Sequence, residues 1–340
     1  MSTIDWAAHL PVIWAGIAVV AVVMYVLLDG FDLGIGILFP YAGNDDDRDV
    51  MMNTVAPIWD GNETWLVLGG GGMLAAFPVA YATILPGTYL PLLVMLIALI
   101  FRGVAFEFRF KARTSRHVWD RSFHYGSLFA TFAQGLVLGS FIQGFEVENR
   151  TFVGGPFDWL TPFTVLCGVA LVAGYALLGC TWLIWRTEGH LREWCAQLCR
   201  PLLLAVMIFV GIVSLWTPFL DNDIAMRWFT MPNLLYLSPV PVVTFLVALG
   251  LWRTGTRRHD VVPFLLAMSL FLLSFLGLGI SLWPNVVPPD ISIWEAAAPP
   301  ASQGFMLAGM VFLVPLVICY TVFCYYVFRG KVRPGEGYHH

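Results

Sequence analysis

Charge is scarce in this 340-residue chain: Asp, Glu, Lys and Arg make up 12% of it, against about a quarter of an average soluble domain. A soluble fold of this length must cover its surface with polar groups, and too few are present. No polar stretch is long enough to form a separate soluble domain. The net charge of −4 is too small to argue for nucleic acid or any strongly charged partner.

Metal-binding patterns are also missing. Of the six cysteines, the close pairs Cys195/Cys199 and Cys319/Cys324 have neither the C-x2-C spacing nor the nearby histidines of a zinc or haem-attachment site, so they read as apolar thiols. The seven histidines (His9, His117, His124, His190, His259, His339 and His340) all fall in loops, tails or expected helix ends. A haem buried in a bilayer needs axial ligands, most often His or Met, and Met without a His partner is a poor site. The chain is therefore expected to bind no haem itself. The N-terminal run MSTIDWAAHLPVIW carries no Lys or Arg, so it lacks the basic region of a signal peptide, and the first helix is expected to remain in the mature protein.

Apolar residues are what is abundant: 59% of the chain by the AVILMFWYC count, with 15% aromatic. A membrane-spanning helix needs about 20 mostly apolar residues. Nine stretches qualify, near 10–39, 57–80, 84–110, 124–143, 161–185, 201–220, 234–252, 261–283 and 303–328. The expected fold is an all-α integral membrane protein of about nine transmembrane helices, with residues 1–340 as one polytopic domain in the lipid bilayer.

Orientation follows from the basic residues, which cytoplasmic loops retain. With the N-terminus outside, all of the 18 Lys and Arg residues except Arg150 and Arg227 fall on inner loops, inner helix ends or the C-terminal tail. The N-terminus is expected in the periplasm and the C-terminus in the cytoplasm. The outer segments QGFEVENRTFVGGPFDW and LWPNVVPPDISIWEAAAPPASQ read as ordered, interface-lying loops.

Ionisable residues inside spanning helices are costly and mark functional sites. Here they gather at the inner ends of three helices: Asp29 and Asp32 in DGFDLGIG, Asp60, Asn62 and Glu63 in APIWDGNETW, and Arg102, Glu107 and Arg109 in FRGVAFEFR. Within each acidic pair the i,i+3 spacing puts both carboxylates on one helix face. Crowded, desolvated carboxylates can hold a proton at modest free-energy cost, and Arg102 is the natural counter-charge. Asp32, about 16 Å beyond a helix midpoint near Ala21, is expected near the headgroups and in touch with water. The Gly34/Gly36 pair and Gly69–Gly72 precede no Lys-Ser/Thr, so they read as close helix packing and not as phosphate loops. Pro57 and Pro78 read as helix-terminus signals.

The runs DGFDLGIGILFP, APIWDGNETWLV, FRGVAFEFR and LVPLVICYTVFCYYVFRGKV resemble subunit II of the cytochrome bd-type quinol oxidases, in the expected order along the whole chain. The motifs are also compatible with the cyanide-insensitive branch of that family. The resemblance implies a haem-free subunit paired with a similar, haem-bearing subunit I. That partner would carry two b-type haems, haem d and the quinol-oxidising loop, and the complex would oxidise quinol and reduce oxygen to water in a bacterial inner membrane. It leaves room for a structurally held quinone and a small single-helix accessory subunit.

Residue by residue, the resemblance places Asp60 and Asp29, with Glu63 and Asp32 beside them, on a cytoplasmic proton path, and Trp65 near an oxygen route. It matches Arg102 and Glu107 to charged third-helix positions involved in pairing. Gly103 replaces a Pro common in related chains, and Glu107 stands where Asp is frequent. Catalysis would then be electrogenic without pumping, because quinol protons leave outside while protons for water enter from the cytoplasm. A proton-coupled secondary transporter also needs buried carboxylates, but no inverted repeat is visible and the polar cluster sits at one side of the membrane. A scaffold subunit whose carboxylates serve only assembly is the third reading.

Overall fold

The computed structural model describes residues 6–255 and 260–335. Arg257, Arg258, His259, His339 and His340 lie outside the described residues. Long apolar runs give the long helices, with two short ones between them: α1 (Trp6–Leu38), the short α2 (Asp45–Asn53), α3 (Trp59–Ala76), the short α4 (Pro78–Gly87), α5 (Tyr89–Phe108) and α6 (Arg116–Gln143). A two-stranded hairpin, β1 (Val147–Glu148) with β2 (Thr151–Phe152), leads to α7 (Pro162–Arg186) and α8 (Gly189–Trp216). The short α9 (Asn222–Phe229) and α10 (Asn233–Leu237) precede α11 (Pro239–Thr254) and α12 (Val262–Leu282). A second hairpin, β3 (Asn285–Val287) with β4 (Ile291–Ser292), and α13 (Ile293–Ala296) lead to α14 (Pro300–Val327).

Among the described residues, eight helices are long and apolar enough to cross a membrane. The second of the nine expected stretches, 57–80, is not among them. It is α3, only 18 residues long and opening on the polar run WDGNET; it stops at Phe77, and Pro78 starts the separate α4. The third stretch accordingly begins at Tyr89 and not at 84. Two other boundaries also move. The fourth helix starts at Arg116, eight residues before the expected 124, and the sixth starts at Gly189, before the expected 201. Charge hid these helical turns from a hydropathy reading, and Pro201 sits inside α8 without ending it.

α1, α6 and α7 form the centre, and small residues bring them together. A Cβ on Gly34 of α1 would lie 1.8 Å from the Tyr175 carbonyl oxygen of α7, and one on Gly179 would lie 2.5 Å from the Gly34 carbonyl carbon. A Cβ on Gly36 would meet Ser127 Oγ of α6 at 2.0 Å. These contacts bear out close packing for Gly34 and Gly36. Gly70, Gly71 and Gly72 are different, because a Cβ at any of them would meet nothing within 4 Å. Around this seam Phe31 stacks on Trp182, ring centroids 4.1 Å apart, with Phe264 edge-on to both. α7 starts on a capping box, with Thr161 and Thr164 bonding each other's backbone N–H and Pro162 in the first turn.

The two ends of the bundle differ in chemistry. At one end the basic residues meet acids: Arg109 reaches Asp49 and Asp120, both at 2.5 Å, Arg116 also pairs with Asp49, and Lys331 lies 2.9 Å from Asp260. Asn44 caps α2 by accepting the Asp47 N–H at 2.7 Å, and three aspartates in that first turn complement the helix dipole. At the other end lie both hairpins. Asn149 and Arg150 turn the first with φ of 50° and 64°, the paired left-handed conformation of a tight two-residue turn. The Phe145 N–H donates to the Pro288 carbonyl at 3.1 Å and that of Ala298 to the Ala76 carbonyl at 2.9 Å, so these loops are ordered against each other.

Candidate functional site

The site is built where α1, α3, α5 and α14 meet, below the basic end. Asp29 and Asp32 leave α1 on one face, and both are wholly buried. The guanidinium of Arg102, from α5 and also wholly buried, places Nη2 2.6 Å from Asp29 Oδ1. Asn62 of α3 donates through Nδ2 to Asp32 Oδ2 at 2.8 Å and reaches the Leu28 carbonyl at 3.4 Å. Its Oδ1 accepts from the Tyr325 hydroxyl of α14 at 2.9 Å. Three helices far apart in sequence thus converge on one carboxylate pair.

Aromatic rings form the wall. Trp59 stacks on Phe106 at 4.8 Å, and Arg102 lies 6.0 Å above the Trp59 ring. The adjacent Gly103 is part of this fit, since a Cβ there would meet Trp59 at 3.4 Å. Removing two carboxylates and a guanidinium from water costs several kcal/mol per ion, so close pairing is a condition of their being there.

The expected site residues separate into groups. Asp29, Asp32 and Arg102 come together as one cluster. Asp32 is a correction, because neighbouring helices seal it even though its depth along α1 suggested contact with water. Glu63 is half-buried and within electrostatic reach of Arg102, Asp29 and Asp60. Asp60 faces outward from α3, where Thr64, Val67, Gly71 and Leu74 share its exposed stripe. Glu107 does not join the cluster: its side chain is 56% exposed and pairs with Lys111 at 3.4 Å. Trp65 is wholly buried and lines an apolar groove of ≈ 310 Å³ with Ile13, Ile17, Val20, Leu68 and Val314.

Sequence reading missed the role of Asn62 as the bridge and of Tyr325 as its second partner. The WDGNET run flagged Asn62 as polar, but nothing local marks Tyr325, which lies 263 positions away.

His124 also needs correcting. It sits two turns inside α6 and not at its end, with Nδ1 3.0 Å from the Gly36 carbonyl oxygen. That contact occupies one ring nitrogen, and every other described histidine lies within a turn of a helix end. Among the described residues no group of three or more His, Cys, Asp or Glu could hold a metal ion. Cys180, Cys195 and Cys199 are buried between α7 and α8, and the Cys180 thiol lies 3.0 Å from the Cys195 carbonyl.

Fold and site define a mostly helical, multi-pass membrane protein organised around a buried acid–arginine cluster. Its family is cytochrome bd terminal oxidase subunit II, to which the chain belongs through a match over residues 10–328. It is 29% identical to the cytochrome bd-I ubiquinol oxidase subunit 2 of Escherichia coli K12, over 94% of each chain. It is also 29% identical to the cytochrome bd ubiquinol oxidase subunit 2 of Bacillus subtilis, over 97% of this chain and 98% of that one. Its fold is similar to a chain of the bd oxidase from Geobacillus thermodenitrificans, with a TM-score of 0.75 over 94% of this chain and 98% of that one, at 18% identity. The chain is therefore a multi-pass subunit of a respiratory oxidase of the bacterial inner membrane, with a subunit I partner.

Proposed function

We propose that this chain is the haem-free subunit of a quinol-oxidising, oxygen-reducing complex, that it stabilises the haem-bearing subunit I, and that it carries protons from the cytoplasmic side. The complex's two b-type haems and haem d belong to subunit I in this reading. All 340 residues act as one membrane domain, with the basic end in the cytoplasm and the N-terminus in the periplasm.

The observation that carries the proton path is the charge count of the sealed cluster. Asp29 and Asp32 face one guanidinium, so with both ionised the site would hold an uncompensated negative charge away from water. A proton is the simplest compensation for a buried charge. Glu63 and Asp60 continue the acidic line outward along α3. An exposed carboxylate on an apolar helix face is costly against lipid, which favours the partner as the cover over Asp60. The path would then pass between the subunits on its way to the oxygen-reducing centre. Trp65 and its apolar groove fit an oxygen route, since oxygen partitions into apolar space.

The test is Asp60→Asn in the co-expressed complex. Oxygen consumption with quinol should fall while the haem spectrum and subunit ratio stay unchanged. Full turnover in that variant would remove Asp60 from the path, and a haem spectrum from this chain purified alone would overturn the division of labour.

A further inference from the structure

A second polar group lies further along the bundle, within its hydrophobic core. Tyr25 of α1, Gln134 of α6 and Tyr175 of α7 meet side by side among apolar neighbours. Gln134 donates through Nε2 to the Tyr25 oxygen at 2.6 Å, and the Tyr175 hydroxyl donates to Gln134 Oε1 at 3.0 Å. Tyr25 and Tyr175 are both buried, and Gln134 is half-buried. Burying an amide and two hydroxyls is costly unless they are paired, and three leucine-sized side chains would fill this space without that cost.

The donors all run one way. Tyr175 gives its proton to Gln134, and Gln134 gives one to Tyr25, so the remaining hydrogen of Tyr25 is free to point elsewhere. Tyr25 lies one helical turn before Asp29 on the same face of α1, within electrostatic reach of Asp29 and Arg102. Asp29 is the nearest carboxylate along that face: both its oxygens are buried, Oδ1 is held by Arg102, and Oδ2 accepts no hydrogen bond from the described residues.

We propose that Tyr175, Gln134 and Tyr25 are a chain of positioning residues that aims the Tyr25 hydroxyl at Asp29 and fixes that carboxylate for proton exchange. The inference rests on the proton-path reading of Asp29. A hydroxyl donor shared with Arg102 sets which carboxylate oxygen stays open to a proton arriving from the Glu63 side. Chains of hydrogen bonds polarise one another, so Gln134 acts on Asp29 through Tyr25 without touching it.

The experiment uses the assembled complex with quinol and oxygen. Tyr25→Phe removes one oxygen and keeps the ring, and Gln134→Leu removes the orienting amide. Each should lower oxygen turnover about five-fold, the equivalent of one ordinary hydrogen bond. Haem content should stay unchanged and the solvent deuterium isotope effect on turnover should rise. The double variant should be no slower than the slower single one, because both act through one contact. Turnover equal to the parent in Tyr25→Phe, or additive losses with an unchanged isotope effect, would overturn the proposal. Asp60→Asn separates the two readings: if it slows turnover while Tyr25→Phe does not, the path stands and only the positioning chain fails.

Discussion

Removing the carboxylate of Asp29 by Asn is the perturbation that tests the site's energetics most directly. In the parent, the Arg102 guanidinium is wholly buried and held at 2.6 Å by an equally buried carboxylate. Breaking such a pair from one side typically costs 3–5 kcal/mol, roughly, because the remaining charge is left uncompensated. Two features place this case at the lower end. Arg102 keeps Asp32 and Glu63 within electrostatic reach, and its charge also lies over the Trp59 ring. A loss of about 3 kcal/mol is therefore expected, a thermal-midpoint shift of roughly 4 °C for a chain of this size.

The assay is the thermal midpoint of the detergent-purified complex, followed by loss of subunit association. Replacing both partners with apolar residues of similar volume, Asp29→Leu with Arg102→Met, should recover most of the loss, since removing both charges also removes their desolvation cost. A midpoint within about 1 °C of the parent for Asp29→Asn would refute the reasoning, because it would mean that the pair sits in a hydrated, high-dielectric site. Failure of the double variant to recover would show that the residues are needed for packing and not for charge balance.

Other outcomes follow from particular contacts. Gly34→Ala forces a methyl into the Tyr175 backbone, and overpacking of this kind costs about 1–3 kcal/mol or more, readable as a lower thermal midpoint or loss of assembled complex. Glu107→Gln loses only a pair with Lys111 in which both side chains are more than half exposed, so stability should change by less than about 0.5 kcal/mol in the same assay. The Asp260 carboxyl is held below its usual range by hydrogen bonds from Lys331 and then Arg192. A lowered folded-state value means that its contribution is fully present above the ordinary carboxylate range, about pH 4, and fades as the pH falls further. Proteolysis near the C-terminal tail should therefore be slow at neutral pH and accelerate in acid, and Asp260→Asn should cleave quickly at both.

The long helices were legible because hydropathy reads length and apolarity directly. α7, α12 and α14 fall within a few residues of the expected 161–185, 261–283 and 303–328. The errors share a cause: where a helix runs on into charged residues, as at Arg116–Phe123 and Gly189–Arg200, apolar runs stop before the backbone does. The acid–arginine cluster was legible in outline, since membrane carboxylates demand a counter-charge and Arg102 was the available one. Its wiring was not. Asn62 meets Tyr325 only because α14 packs on α3, and Gln134 meets Tyr25 only because α1, α6 and α7 share one seam. Sequence spacing carries i,i+3 and i,i+4 relations within a helix and says nothing about which faces of distant helices meet.

The unequal packing of the spanning helices bears on how the sequence can vary. In α7, 61% of the core window is buried inside the chain, whereas in α14 the figure is 6%. Residues along α7 answer to fixed neighbours at every turn, so a comprehensive substitution library should find few acceptable exchanges there. Along α14, apart from its tie to Asn62 through Tyr325, most positions answer only to the surrounding solvent or a covering subunit and should accept most apolar exchanges. Positions of α14 that resist such exchange would then trace the outline of the partner on this surface.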